Sequence, residues 1–157
     1  MVMIERRNSI CYNDDMEKKS LKVCQLTRVA KDKIGRISTN GIKLEPHEYS
    51  TMILLAEYGF DVECAKKTDT PKTNNADVII MGTVWEMKAP ETVNRATLKK
   101  RMHKASKQAD KTIFDLRNIR RGRDEAEKTI MELFIGNRIL RRMILIRSDR
   151  EVLDIMK

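Results

Sequence analysis

Apolar residues recur at helical spacing between Glu45 and Gly59, where Tyr49, Met52, Ile53 and Ala56 fall on one stripe that Leu55 widens. Pro46 at the first helical position and Gly59 beyond the last turn bound the helix that this stripe predicts. The period then shortens to two. Phe60, Val62 and Cys64 alternate with polar neighbours and predict a strand over 60–64 with those three side chains on one face. A polar stretch containing Pro71, over 66–75, reads as a loop. Apolar runs over 77–81 and 83–88 predict two strands joined through Gly82 as a hairpin, although the turn lacks an Asn-Gly or Asp-Gly pair. A basic helix follows over 92–109, with Val93, Ala96, Leu98, Met102 and Ala105 available for packing. A strand over 111–116, a helix over 124–134 with Ala126, Ile130, Met131 and Phe134 inward, and a last strand over 142–147 complete the pattern. The charged runs 125–128 and 147–150 read as solvated surface.

The first 44 residues are less regular. Residues 22–29 alternate imperfectly, as a strand or a short helix would, and Ser38-Thr39-Asn40-Gly41 marks a turn. No internal repeat and no Pro/Gly-rich linker divides the chain. The order of elements describes an α/β architecture bordering on α+β, a mixed β-sheet flanked by helices. Residues 45–157 form its core, and residues 1–44 are an appendage of the same domain.

Length and charge narrow the classes. A chain of 157 residues with 41% hydrophobic residues is long enough to bury roughly two-thirds of its extended surface without disulfides. Cys11, Cys24 and Cys64 form no CxxC pair, so neither a disulfide framework nor a structural zinc site is supported. The longest apolar runs, 52–56 and 78–81, are far shorter than a membrane span, and Glu5, Arg6 and Arg7 interrupt any leader-like start. The chain as written is expected to be cytoplasmic, with no membrane role. Its net charge of +9 is concentrated: residues 95–123 hold eleven basic residues against Asp110 and Asp115. Such a balance favours an anionic partner.

Chemistry-bearing residues converge on the predicted hairpin. Period-two alternation places Glu86 and Lys88 on one face of their strand and Trp85 and Met87 on the other. Pairing through Gly82 brings Asp77 beside them. Two carboxylates and an ammonium then meet. Asp77, Glu86 and the backbone carbonyl of Met87 are oxygen ligands suited to Mg²⁺ or Mn²⁺, and Lys88 can stabilise charge on phosphoryl oxygens. Lys100, Lys104, Lys107, Gln108 and Lys111 are candidates for contacting a nucleic-acid backbone, a salt-sensitive attraction. With aromatic residues at 4%, recognition through phosphates and shape is expected in preference to base stacking. Cys64 and Trp85 read as core, and Asp115 as a sheet-edge residue outside the site.

Glu48 on the first helix, Asp77 at a strand start and Glu86-Met87-Lys88 after the hairpin resemble the PD-(D/E)xK signature of restriction-endonuclease-like nucleases. The likeness spans 45–116 and departs from the signature at Ala76, where the motif has proline. It implies a restriction-endonuclease-like sheet, Asp77 and Glu86 as metal ligands, Lys88 as the catalytic lysine, and Glu48 as an additional catalytic carboxylate. Residues 76–88 with 108–116 are further similar to the C-terminal nuclease domains of contact-dependent growth inhibition toxins. That resemblance implies an RNA endonuclease, with transfer RNA as substrate. It also implies a toxin domain delivered into a target-cell cytoplasm and a cognate immunity protein as partner. A DNA endonuclease of the same fold and a non-catalytic nucleic-acid-binding derivative are the alternatives.

Overall fold

The computed structural model describes residues 9–10, 21–66 and 77–157. The loop expected over 66–75 lies outside them except for Lys66, as do Ala76 and Cys11. Among the described residues, nine strands and three α-helices occur in the order β1 (Ser9–Ile10), β2 (Lys22–Gln25), β3 (Ile37–Ser38), α1 (Pro46–Glu57), β4 (Val62–Cys64), β5 (Val78–Ile80), β6 (Thr83–Lys88), α2 (Arg95–Gln108), β7 (Lys111–Asp115), α3 (Arg123–Gly136), β8 (Arg142–Ile146) and β9 (Val152–Met156). They form one mixed sheet in the order β1-β2-β9-β8-β7-β6-β5-β4-β3. The expected α/β layering is therefore present. The ladder is parallel from β6 through β7 to β8 and antiparallel from β4 through β5 to β6.

Each face of the sheet has its own core. On one, Met52, Leu54 and Leu55 of α1 pack with Val62, Cys64, Val78, Ile80, Trp85, Ile113 and Ile144. On the other, Leu98, Met102 and Ala105 of α2 and Ala126, Ile130 and Phe134 of α3 pack on Phe114, Met143, Leu145 and Ile155. Strand alternation sorts these residues: along β7, Ile113 faces α1 while Phe114 faces α2 and α3. Cys24 and Cys64 are both buried.

Two elements depart from the pattern reading, and the stripe expected on α1 is only partly its buried face, since Tyr49 and Ile53 are exposed and Leu54 is buried. Helix α2 begins at Arg95, not Thr92, because the Asn94 side chain accepts the Thr97 N–H at 3.0 Å and sets the N-cap there; Ala96 consequently faces solvent. Strand β9 follows β8 through a turn at 147–150, the run read as solvated charge. Asp149 accepts the Glu151 N–H in that turn, and Arg147 pairs with Glu127 and Glu151. A buried Asp154, held by Arg142 through two bonds of 2.8 and 2.6 Å, breaks the apolar alternation that would have marked β9. Residues 22–25 resolve to a strand, β2, paired with β9.

The β5–β6 hairpin closes through Met81 and Gly82, both at positive φ (52° and 74°). This is the mirror-image turn that suits the twist of two-residue hairpins. A methionine in that region is strained, so Met81→Asn is expected to raise stability by about 0.5–1 kcal/mol, read as an increased urea midpoint at unchanged m-value; a lowered midpoint would refute it.

Candidate active site

The hairpin register pairs Val78 with Trp85, Ile79 with Val84 and Ile80 with Thr83. One residue before this ladder the Asp77 N–H donates to the Trp85 carbonyl at 3.1 Å, and the Asp77 carboxylate lies close enough to Glu86 to act on it electrostatically. Beyond this point β5 gives out while β6 continues. The Asp77 carboxylate takes over the ladder there: its Oδ2 accepts the Met87 N–H at 2.9 Å. Asp77 therefore lies in the plane of the sheet, at the opening between the two strands.

Glu86 projects to the α2 side and is buried, as is the indole of Trp85 on the opposite side. Lys88, two residues on, donates from Nζ to Glu86 Oε1. The other oxygen, Oε2, is buried and accepts no hydrogen bond. Burial is the main cause that lifts the Glu86 pKa from 4.5 to about 7, with the negative charge of Asp77 adding to it and Lys88 opposing it. The Glu86 carbonyl is held by Thr112 Oγ1 of β7 at 2.9 Å. Asp77, Glu86 and Lys88 are thus brought together as the alternation and the hairpin predicted.

The raised pKa has a sign. Between pH 4.5 and about 7 the folded state holds the Glu86 proton that the unfolded chain releases, so stability falls as pH rises through that window. Urea midpoints in EDTA are expected to decline from pH 5 to 7.5, and Glu86→Gln to flatten that decline. An equal slope in both proteins would refute this assignment.

Glu48 is at the third position of α1. Its Oε2 accepts the Glu45 N–H at 2.9 Å, and the Glu45 side chain reciprocates toward the Glu48 backbone, closing a capping box. Glu48 also borders a narrow cleft of about 40 Å³ with Asp77 and Met87. It therefore lies on the α1 side of the sheet, near Asp77 and Met87 and across from Glu86 and Lys88, with one oxygen already engaged.

The basic candidates divide. Lys100, Lys104 and Lys107 are exposed on the outer face of α2, away from its buried Leu98, Met102 and Ala105. Arg95 pairs with Glu132 at 2.7 Å and marks the flank of α2 that meets α3. At 100° per residue, Thr97, Arg101 and Gln108 occupy the other flank, toward β6. Gln108 is half-buried there, with Oε1 unbonded. Arg101, part of the basic stretch, is also half-buried on that flank. Lys111 shares strand parity with Ile113 and Asp115, so it faces the α1 side, across the sheet from the α2 lysines, and pairs with Asp110.

Asp115 corrects an expectation. It is in β7, an interior strand, and is buried, accepting Thr51 Oγ1 of α1 at 2.7 Å and the Arg117 guanidinium at 2.7–3.2 Å.

Among the described residues no three His, Cys, Asp or Glu side chains form a ready metal-binding group. The donor set nevertheless fits a hard divalent cation. Asp77 and Glu86 are neighbouring carboxylates, one with a buried unbonded oxygen, and such ions complete their shells with backbone carbonyls and water. No helix among the described residues is long and apolar enough to cross a membrane.

Comparison with known proteins places this hairpin inside a recognised region. The family model described as contact-dependent growth inhibition CdiA C-terminal domain matches residues 73–152. A solved structure titled as a CdiA-CT/CdiI toxin and immunity complex from Burkholderia pseudomallei is similar in fold. It has a TM-score of 0.59 and 22% identity, covering 78% of this chain and 100% of the matched one. No protein with a curated description matches.

Proposed function

The chain belongs to the contact-dependent growth inhibition CdiA C-terminal domain family, and from that premise we propose that it is a metal-dependent endonuclease hydrolysing phosphodiester bonds in RNA, transfer RNA in particular. The observation that carries the reading is the meeting of Asp77, Glu86 and Lys88 at the mouth of the β5–β6 hairpin. Asp77, Glu86 and the Met87 carbonyl would hold Mg²⁺ or Mn²⁺. When bound, such an ion polarises a phosphodiester and lowers the pKa of a coordinated water.

Lys88 places a positive charge where phosphoryl oxygens gain negative charge. Glu48, reaching in from α1, orients water on the opposite side of Asp77. The lysines of α2 draw in the substrate backbone over distance, an effect that weakens with salt.

Incubation of the purified protein with total RNA and with plasmid DNA, in Mg²⁺ and in EDTA, tests this. RNA cleavage in Mg²⁺ alone is expected; cleavage confined to plasmid would assign the DNA alternative. The lack, among the described residues, of a metal-binding group of three side chains favours one further reading, a binding protein without turnover. It predicts salt-dependent binding to RNA and no product in either metal.

The similar structure contains a toxin with an immunity protein. By extension, this domain acts in a target-cell cytoplasm and is neutralised by a cognate immunity protein. Co-purification from the native host tests that partnership.

A further inference from the structure

A second cavity, of about 660 Å³, opens between the loop that follows β6 and the loop that follows β7. Glu91 and Thr92 form one wall, and Arg117, Asn118, Arg120 and Arg121 the other. We propose that this cleft is an anion subsite that holds a backbone phosphate of a nucleic-acid strand. The ligand class rests on the nuclease reading above.

Placement supports this. Strands β6 and β7 are parallel neighbours, so the cleft lies beyond their carboxyl ends, where open α/β sheets form ligand crevices. Glu91 follows Lys88 by three residues, a separation of about 11 Å at full extension. A strand seated in the cleft can therefore run on to the carboxylates.

The cleft is also built in advance. Asp115 is buried and binds Arg117 through Nε and Nη2, which holds that side chain in place and leaves Nη1 without a partner among the described residues. Arg120 and Arg121 are exposed and make no ion pair among the described residues. Their guanidinium forks match phosphate oxygens two at a time. Two adjacent unpaired cations repel each other until an anion joins them, and Glu91 is the single carboxylate on the lining. Gly122, at φ +68°, fastens the walls together: a Cβ there would lie 3.0 Å from Val93 Cγ1.

The test is fluorescence anisotropy with labelled RNA and DNA oligonucleotides, in EDTA so that binding is measured without turnover, across a series of salt concentrations. The double variant Arg120→Gln/Arg121→Gln is expected to bind about tenfold more weakly at 0.1 M salt, with the slope of log K against log salt reduced by about 1–2. Glu91→Gln is expected to bind a few-fold more tightly. Parental affinity and slope in the double variant would overturn the proposal. So would loss of binding to phosphatidylserine vesicles with oligonucleotide binding intact, which would assign the cleft to membranes. An Arg120→Lys/Arg121→Lys variant controls for folding, because it keeps the charge and should keep the salt slope. The two readings separate cleanly. Weakened oligonucleotide binding in the double variant, with no cleavage by the parent in Mg²⁺, removes the nuclease and keeps the subsite; cleavage by the parent with unaltered binding in the variant does the reverse.

Discussion

Glu86→Gln is expected to lower nucleic-acid cleavage by about 10²–10³-fold or more while leaving the protein at least as stable as the parent at pH 7.5. The size follows from removing one charged group aimed at the reacting centre. The opposite sign for stability follows from the surroundings of this side chain. Its Oε2 is buried without a hydrogen bond, Asp77 lies nearby, and burial already disfavours the charged form. A neutral amide of the same shape escapes that cost and can donate toward Asp77. Activity and stability are thus opposed at one residue, as expected where a site is held in a conformation that folding alone would not choose. Cleavage of total RNA in Mg²⁺ and urea melts in EDTA read the two effects. Cleavage at the parental rate would remove Glu86 from the site. A clear loss of stability would show instead that its charge contributes to the fold.

Asp115→Ala is expected to cost about 3 kcal/mol, within the range for breaking one side of a buried ion pair. The carboxylate accepts the Thr51 hydroxyl, the Arg117 N–H and the Arg117 guanidinium, so truncation takes the acceptor from the Arg117 donors, while the Thr51 hydroxyl keeps the His47 carbonyl at 3.0 Å. Arg117 is partly exposed, with 19% of its side chain accessible, and can turn toward solvent, which holds the loss to the lower end of that range. Asp115→Asn keeps an acceptor for Thr51 and should lose less. Urea unfolding gives both values; a loss below 1 kcal/mol for the alanine variant would mean that the pair contributes little. Because Asp115 also anchors Arg117, the alanine variant should weaken oligonucleotide binding alongside the double arginine variant.

The hairpin and its charged residues were legible because each rested on a local rule. Two apolar runs around Gly82 specified the strands, and a period of two separated Glu86 and Lys88 from Trp85 and Met87. Helix α3 was legible through its apolar stripe and the start of α1 through Pro46, whereas Tyr49 and Ile53 of the stripe read on α1 turn out exposed. What escaped depended on partners distant in the chain. Strand β9 carries Asp154 in the core, which is tolerated only because Arg142 of β8 meets it. Asp115 read as an edge residue because nothing near it in sequence reveals that α1 supplies Thr51 from 64 positions earlier. Arg117, Arg120 and Arg121 were visible only as part of a basic stretch, and their separation from the α2 lysines required the folded positions of two loops. Whether Glu48 serves the helix cap or the chemistry was undecided by pattern, since a glutamate at the third helical position suits both.

Trp85, the chain's one tryptophan, lies fully buried with the Arg142 guanidinium 5.5 Å from its ring, back to back with Glu86 in the same strand. Its emission is therefore an intrinsic optical probe of the segment bearing the carboxylates. Quenching or a spectral shift on adding Mn²⁺ would report events next to residue 86 without any attached label, and the same signal would follow that strand as the protein unfolds.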